Sequence, residues 1–232
     1  SSPLAEGLRS HLSESDLARL GSARVGIAGA GGLGSNVAAL LVRSGVRQLL
    51  IVDGDTVEPS NLNRQHYWPE DLGRPKVLAL RDRLLGLEPA LDLETRQEWL
   101  TPASAPDLFQ GCSIVVEALD GAALKADLCS ALLSAGFYVI AASGLGGCGL
   151  PPMTIRRLGK NFVCVGDFTT AADQAAPPLA PRVVQAAALH ADAVLEKILG
   201  KWEGGVGRVE AAGGGGDEGH GGDAARARER AA

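Results

Sequence analysis

At 232 residues, 46% hydrophobic and 21% charged, the chain has enough material for one α/β domain that buries roughly 70% of the surface its unfolded form exposes. Its formal charge of −5 argues against binding nucleic acid through bulk charge, and no apolar run approaches the ~20 residues of a membrane span. Neither nucleic acid nor membrane is therefore an expected partner.

The Ser-Ser-Pro opening carries neither a basic nor an apolar segment, so no secretory signal is expected. Cys112, Cys129, Cys148 and Cys164 stand singly, without a C-x-x-C pair, which points to a reducing, cytoplasmic setting and to no zinc. Cys164, in the alternating stretch 162–165, reads as a buried strand residue, and Cys148, among glycines, as an exposed one.

In chain order, the spacing of Leu8, Leu12, Leu17 and Leu20 predicts an N-terminal helical segment over 1–22, with Ser13 or Ser15 as an internal cap. A strand over 24–30, a helix over 32–44 stopped by Gly45, and a buried strand over 48–53 follow. After a polar loop, Pro75 opens a helix over 76–87, and 91–99 alternates as a half-buried strand. Then come a buried strand over 113–119, a helix over 122–135 and a strand over 137–142. Repeated βαβ units of this kind predict a Rossmann-like α/β fold, doubly wound around a mostly parallel sheet. Beyond Ser143, two short strands over 153–157 and 162–165 form an appended antiparallel hairpin, and an amphipathic helix over 182–199 is capped by Gly200. The folded, nucleotide-binding domain is thus expected over 23–202. From residue 203 the composition falls to Gly, Ala, acids and Arg, so 203–232 is expected to be a disordered, low-complexity tail.

The chemistry is expected at the carboxyl ends of the first, second and fourth strands. Gly29, Gly31, Gly32 and Gly34 make a strand-turn-helix fingerprint whose backbone can approach phosphate, though such a turn can also serve packing alone. Asp53, 19 positions after Gly34, has the spacing of a ribose ligand, and Asp55 either assists it or is a solvated turn acid. The loop Ser60-Asn61-Leu62-Asn63-Arg64-Gln65 goes beyond what hydride transfer requires, because it concentrates polyphosphate donors. Arg64 and Lys76 supply positive charge for a phosphoryl transition state, with Asn61 and Gln65 orienting the phosphates. For Lys76 the alternative is an ordinary helix-surface lysine. Asp120 is the candidate Mg²⁺ ligand, or else a helix N-cap. Lys125 reads as a solvated helix residue and His66 as a loop residue.

Taken in order, Gly-x-Gly-Gly-Leu-Gly, Asp53-Gly54-Asp55, the Ser60 to Gln65 loop, Arg74-Pro75-Lys76 and Asp120 closely resemble the ThiF and MoeB family, related to the ubiquitin-activating enzymes, over about 23–200. The compact ThiF branch is the nearest. The resemblance implies an adenylyltransferase that uses ATP and Mg²⁺ to activate the terminal carboxylate of a small ubiquitin-like sulfur carrier ending in Gly-Gly, in thiamine biosynthesis. It implies that Asn61, Arg64, Gln65 and Lys76 contact the phosphates, Asp53 the ribose and Asp120 the metal, making Arg64, Lys76 and Asp120 the catalytic set. It also implies a homodimer in which a partner arginine reaches the ATP, Arg9 being the candidate here. Two zinc-binding C-x-x-C pairs common in the family are missing, no cysteine aligns with the one used for sulfur handover, and Gly121 stands where many relatives have Asn. Two alternatives remain: adenylation of a modified tRNA base on the same fold, and a nonenzymatic scaffold for ubiquitin-like proteins. An NAD-dependent oxidoreductase is more distant, because no catalytic His, Tyr or Lys constellation stands out.

Overall fold

The computed structural model describes residues 2–149 and 151–200. Two short helices, α1 (Pro3–Arg9) and α2 (Glu14–Ser22), come first. The N-terminal helical segment divides there because Ser13 caps α2, its Oγ accepting the Asp16 N–H at 3.1 Å. Next in sequence are β1 (Arg24–Ala28), α3 (Gly32–Arg43), β2 (Gln48–Val52), α4 (Lys76–Leu87), β3 (Asp92–Arg96) and α5 (Ala105–Leu108). The remaining elements are β4 (Ile114–Glu117), α6 (Ala122–Ser134), β5 (Tyr138–Ala142), β6 (Thr154–Arg157), β7 (Phe162–Gly166) and α7 (Ala180–Leu199).

The strands form one sheet in the order β3-β2-β1-β4-β5-β7-β6, parallel except for the edge pair β6 and β7. This is the Rossmann-like sheet with an appended hairpin expected from the sequence. The chain leaves β1 towards β2 on one side and later returns to place β4 on the other. The strand order therefore reverses at β1, and the carboxyl ends of β1 and β4 diverge to leave a crevice.

Alternation sends the strand residues into two cores. Val25, Ile27, Ile51 and Val116 pack with α3 and α7 residues such as Val37 and Val194. Leu50, Val52, Val115 and Val139 pack with Phe109, Leu128 and Leu132 on the α5 and α6 side. Covered on both faces, these strands must be apolar at nearly every position, which is why they read as continuous runs rather than alternating ones. Glu117, the last residue of β4, breaks that rule at 0% exposure.

α7 starts earlier than its amphipathic pattern suggested, because Pro181 falls in the first turn, where no N–H is needed. Gly200 ends it in the left-handed conformation (φ 59°). Among the described residues, no helix is long and apolar enough to cross a membrane. The expected tail over 203–232 lies outside the described residues.

Candidate active site

A cleft of about 1080 Å³ opens at the carboxyl ends of β1, β4 and β5. Gly32, Leu33 and Arg64 form one wall, Glu117, Asp120 and Lys125 the other.

The first wall is built by the turn from β1 into α3. Gly29 has φ +103°, and a Cβ there would stand 2.8 Å from the Ala118 carbonyl oxygen; at Gly34 a Cβ would stand 1.9 Å from that of Gly29. Side chains at these two positions would pry the turn open. α3 has Gly31 as its N-cap, with no side-chain hydrogen bond, leaving helix N–H groups of the kind that bind anions. Asp53 fastens the end of β2 to this turn: Ala30 N–H donates to its Oδ2 at 2.6 Å, and Asp55 N–H to its Oδ1 at 2.7 Å.

Asp55 then reaches Lys76, whose Nζ lies 2.8 Å from its Oδ2. The lysine is buried at the start of α4 and its N–H donates to the Asp55 carbonyl, so it is not an ordinary surface residue. Tyr67 closes the group by donating its hydroxyl to the Ala30 carbonyl oxygen at 2.7 Å. Burial, reinforced by Asp53, Asp71 and Asp55, drives its phenol well above the ordinary range.

The polar loop folds back over the turn. Asn61 is buried and spends its Oδ1 on the Glu58 N–H (2.9 Å), so it shapes the loop from within. The Arg64 stem lies on Gly32, where a Cβ would meet Cγ at 3.3 Å and Nε at 3.4 Å. Its Nη1 donates to the Ser60 carbonyl (3.0 Å) and to Asn63 Oδ1 (2.9 Å), and among the described residues no carboxylate pairs with it. Gln65 is buried, its Oε1 has no hydrogen-bond partner among the described residues, and its Nε2 faces Gly31. His66, beside it, is a half-buried loop residue whose N–H bonds Ser35 Oγ; burial, then Arg43 and Arg83, lowers its pKa.

Across the cleft, Asp120 follows β4 and is exposed. It does not cap α6: the N-cap is Gly121 (φ 90°) and carries no side-chain bond. Among the described residues Asp120 makes no ion pair, and no three His, Cys, Asp or Glu residues cluster as a metal cage. One free carboxylate facing a polyphosphate-sized cleft fits Mg²⁺, which binds through one or two carboxylates plus substrate phosphates. It does not fit a metal caged by protein alone.

The structure adds groups that sequence reasoning missed. Glu117 is paired at 3.3 Å with Lys125, which is 20% exposed and lines the cleft instead of standing in solvent as expected. Burial raises the Glu117 pKa against the opposing pull of Lys125. Farther back, Asp167 meets Arg182 at 2.6 Å in a buried pair. Burial alone would raise the Asp167 pKa, but the Thr169 and Thr170 N–H groups overcome it and hold the carboxyl down at about 2. Cys129 and Cys164 also line the cleft, and burial pushes Cys129 up to about 12, so it stays a thiol. Cys148 is exposed, as expected.

Known proteins share this architecture. A sequence profile of the ThiF family matches residues 6–212. The sulfur carrier protein adenylyltransferase of Thermus thermophilus is 42% identical over 103 residues, 44% of this chain and 38% of that protein. The adenylyltransferase and sulfurtransferase uba4 of Aspergillus clavatus is 38% identical over 128 residues, 55% of this chain and 26% of its own length. The matched stretch thus spans only about a quarter to two-fifths of these curated relatives. Among solved structures, Escherichia coli tRNA N6-threonylcarbamoyladenosine dehydratase, in complex with AMP, superposes with a TM-score of 0.76 at 19% identity, covering 84% of this chain and 94% of that one, a likeness of fold. With the profile spanning most of its length and the sheet order, glycine turn and cleft all in place, the chain belongs to the ThiF family.

Proposed function

We propose that this protein is an adenylyltransferase that activates the C-terminal carboxylate of a ubiquitin-like sulfur carrier ending in Gly-Gly, at the expense of ATP. One observation carries the reading: the glycine turn, an arginine with no carboxylate partner among the described residues, and a free aspartate face one cleft at the strand-order reversal. A carboxylate oxygen of the carrier bonds to the α-phosphorus as the bond to the bridging oxygen breaks, giving acyl-adenylate and pyrophosphate. The transition state gathers negative charge on phosphate oxygens, and cations already in place stabilise it without reorganising.

In this reading the α3 N-terminus and Arg64 bind the polyphosphate, and Gln65 turns its amide towards it. Lys76 exchanges its bond to Asp55 for phosphate oxygen, Asn61 holds the loop in shape, and Asp53 takes the ribose once the turn admits the nucleotide. Asp120 holds Mg²⁺, which when bound neutralises polyphosphate charge. The finer assignments are a role in thiamine biosynthesis with a ThiS-like carrier, a cytoplasmic setting, and a homodimer.

Pyrophosphate exchange into ATP tests the reading. It is expected to need both Mg²⁺ and a carrier ending in Gly-Gly, and to fall away when the two glycines are removed. Exchange stimulated by tRNA and indifferent to the carrier would replace this reading with adenylation of an RNA base; tight carrier binding without ATP turnover would replace it with a scaffold.

A further inference from the structure

α6 begins against its electrostatic preference. Helix N-termini carry partial positive charge and favour acids in the first turn. Here the first turn holds no acid, no side chain caps it, and Lys125 stands at the fourth helical position. Glu117 makes the ammonium tolerable. Wholly buried at the end of β4, it has Oε1 fixed by the Leu119 N–H at 2.7 Å, while Oε2 pairs with Lys125 at 3.3 Å without a well-directed hydrogen bond. An ammonium has three donors, and among the described residues Glu117 is its one ion-pair partner.

The place of Lys125 in the cleft is as telling as its partner. Cys129 and Leu133 follow it at four-residue steps on the same face of α6, and with Phe162 they form an apolar end to the cleft. Lys125 thus stands between that end and the polar end made by Gly32, Arg64 and Asp120. An ammonium already half-neutralised by a buried carboxylate, with Asp120 nearby, suits a monoanion better than a polyphosphate. The unneutralised Arg64 and the α3 N-terminus suit the polyphosphate.

Resting on the adenylyltransferase reading, we propose that Lys125 and the uncapped first turn of α6 receive the terminal carboxylate of the acyl substrate, and that Glu117 is the positioning residue that holds the ammonium towards the cleft. Pairing the carboxylate with the ammonium there keeps it ionised, hence nucleophilic, beside a polyanion that would otherwise repel it.

The test uses N-acetylglycylglycine and its C-terminal amide as probes, titrated into the full chain and followed by NMR at the Ala123, Leu124 and Lys125 amides. The acid is expected to shift these signals saturably and the amide to leave them unmoved. Lys125→Gln abolishes the response, Lys125→Arg restores it, and Glu117→Gln weakens it, while thermal melts confirm that each variant is folded. In pyrophosphate exchange, Lys125→Gln raises KM for the carrier by about tenfold, the scale of one lost charged hydrogen bond, and leaves KM for ATP unchanged. Equal responses to acid and amide, a normal response in Lys125→Gln, or a rise in KM for ATP matching that for the carrier would overturn the assignment. Carboxylate-specific shifts in a protein that shows no carrier-dependent exchange would uphold it while rejecting the carrier reading.

Discussion

The two walls of the cleft handle charge in opposite ways. On the β1 and α3 wall, the Arg64 guanidinium bonds, among the described residues, only to the neutral oxygens of Ser60 and Asn63. On the β4 and α6 wall, Lys125 is matched by Glu117, and behind it Arg182 is matched by Asp167. Unmatched charge at a partly exposed site contributes little to folding and is available to a ligand. Matched charge in a buried site is part of the fold, and removing one partner exposes the desolvation cost of the other. Substitutions on the first wall should therefore cost activity, and those on the second stability as well.

The largest expected effect is on the first wall. Arg64→Ala should lower carrier-dependent pyrophosphate exchange by about 10³-fold, the low end for an arginine that stabilises phosphoryl-transfer charge. Thermal unfolding should register a change within about 0.5 kcal/mol, because no ion pair is lost. A large fall in melting temperature would erase the contrast between the walls.

Glu117→Ala comes next. It strands Lys125 beside the α6 N-terminus and leaves a gap in the α5 and α6 core, so chemical denaturation should show a loss of about 2–3 kcal/mol; the 20% exposure of Lys125 keeps it below the cost of a fully buried orphan. A stability equal to the parent protein would mean that the pair is not part of the fold.

How legible these features are in sequence follows the same division. Gly29, Asp53 and Asp120 can be recognised because each follows a strand whose end the local pattern fixes, and Gly34 because it stands in the first turn of the helix that the glycine turn opens. The turn needs glycine where a Cβ would strike carbonyl oxygen, and nothing nonlocal has to be known to see that. Glu117 and Lys125 are hidden for the opposite reason. Glu117 sits among apolar strand residues that face both ways, so no alternation reveals its direction. α6 carries leucine both inside, at Leu128 and Leu132, and outside, at Leu124, so no single apolar stripe marks its inward face, and Lys125 reads as solvated. Asp167 and Arg182 are 15 positions apart on separate elements, and only the folding of the 167–182 connection brings them together. The loop residues divide as well: Arg64 is legible by charge, whereas the structural bond of Asn61 to Glu58 depends on the 3₁₀ turn that forms there.

A third prediction concerns acid stability. His190, wholly buried in α7, donates from Nδ1 to the Ala186 carbonyl at 2.7 Å, and burial lowers its pKa to about 4 from 6.5. Between these values the unfolded chain binds a proton that the folded one refuses, so stability rises with pH across this window. Acidifying from pH 6.5 to 4 should cost about 3 kcal/mol from this residue alone, and His190→Leu should flatten the slope. The depressed pKa of Asp167 acts in a separate, lower window: its stabilisation is present above about 3.8 and is lost as pH falls through about 2. Denaturant titrations at stepped pH distinguish the two, and a parent slope unchanged in His190→Leu would contradict the assignment.

The smallest effect is expected at Cys148, exposed in the loop after β5. Cys148→Ser should change stability by less than about 0.5 kcal/mol and leave pyrophosphate exchange unaltered. A marked loss of exchange would bring the thiol into the adenylation step.

The most direct measurement is a crystal structure with a nonhydrolysable ATP analogue and Mg²⁺. The account predicts the polyphosphate between the α3 N-terminus and the Arg64 guanidinium, with the metal against Asp120 and Lys125 left clear of the phosphates. A nucleotide bound elsewhere, or an Arg64 side chain turned into bulk solvent with the nucleotide in the cleft, would contradict it.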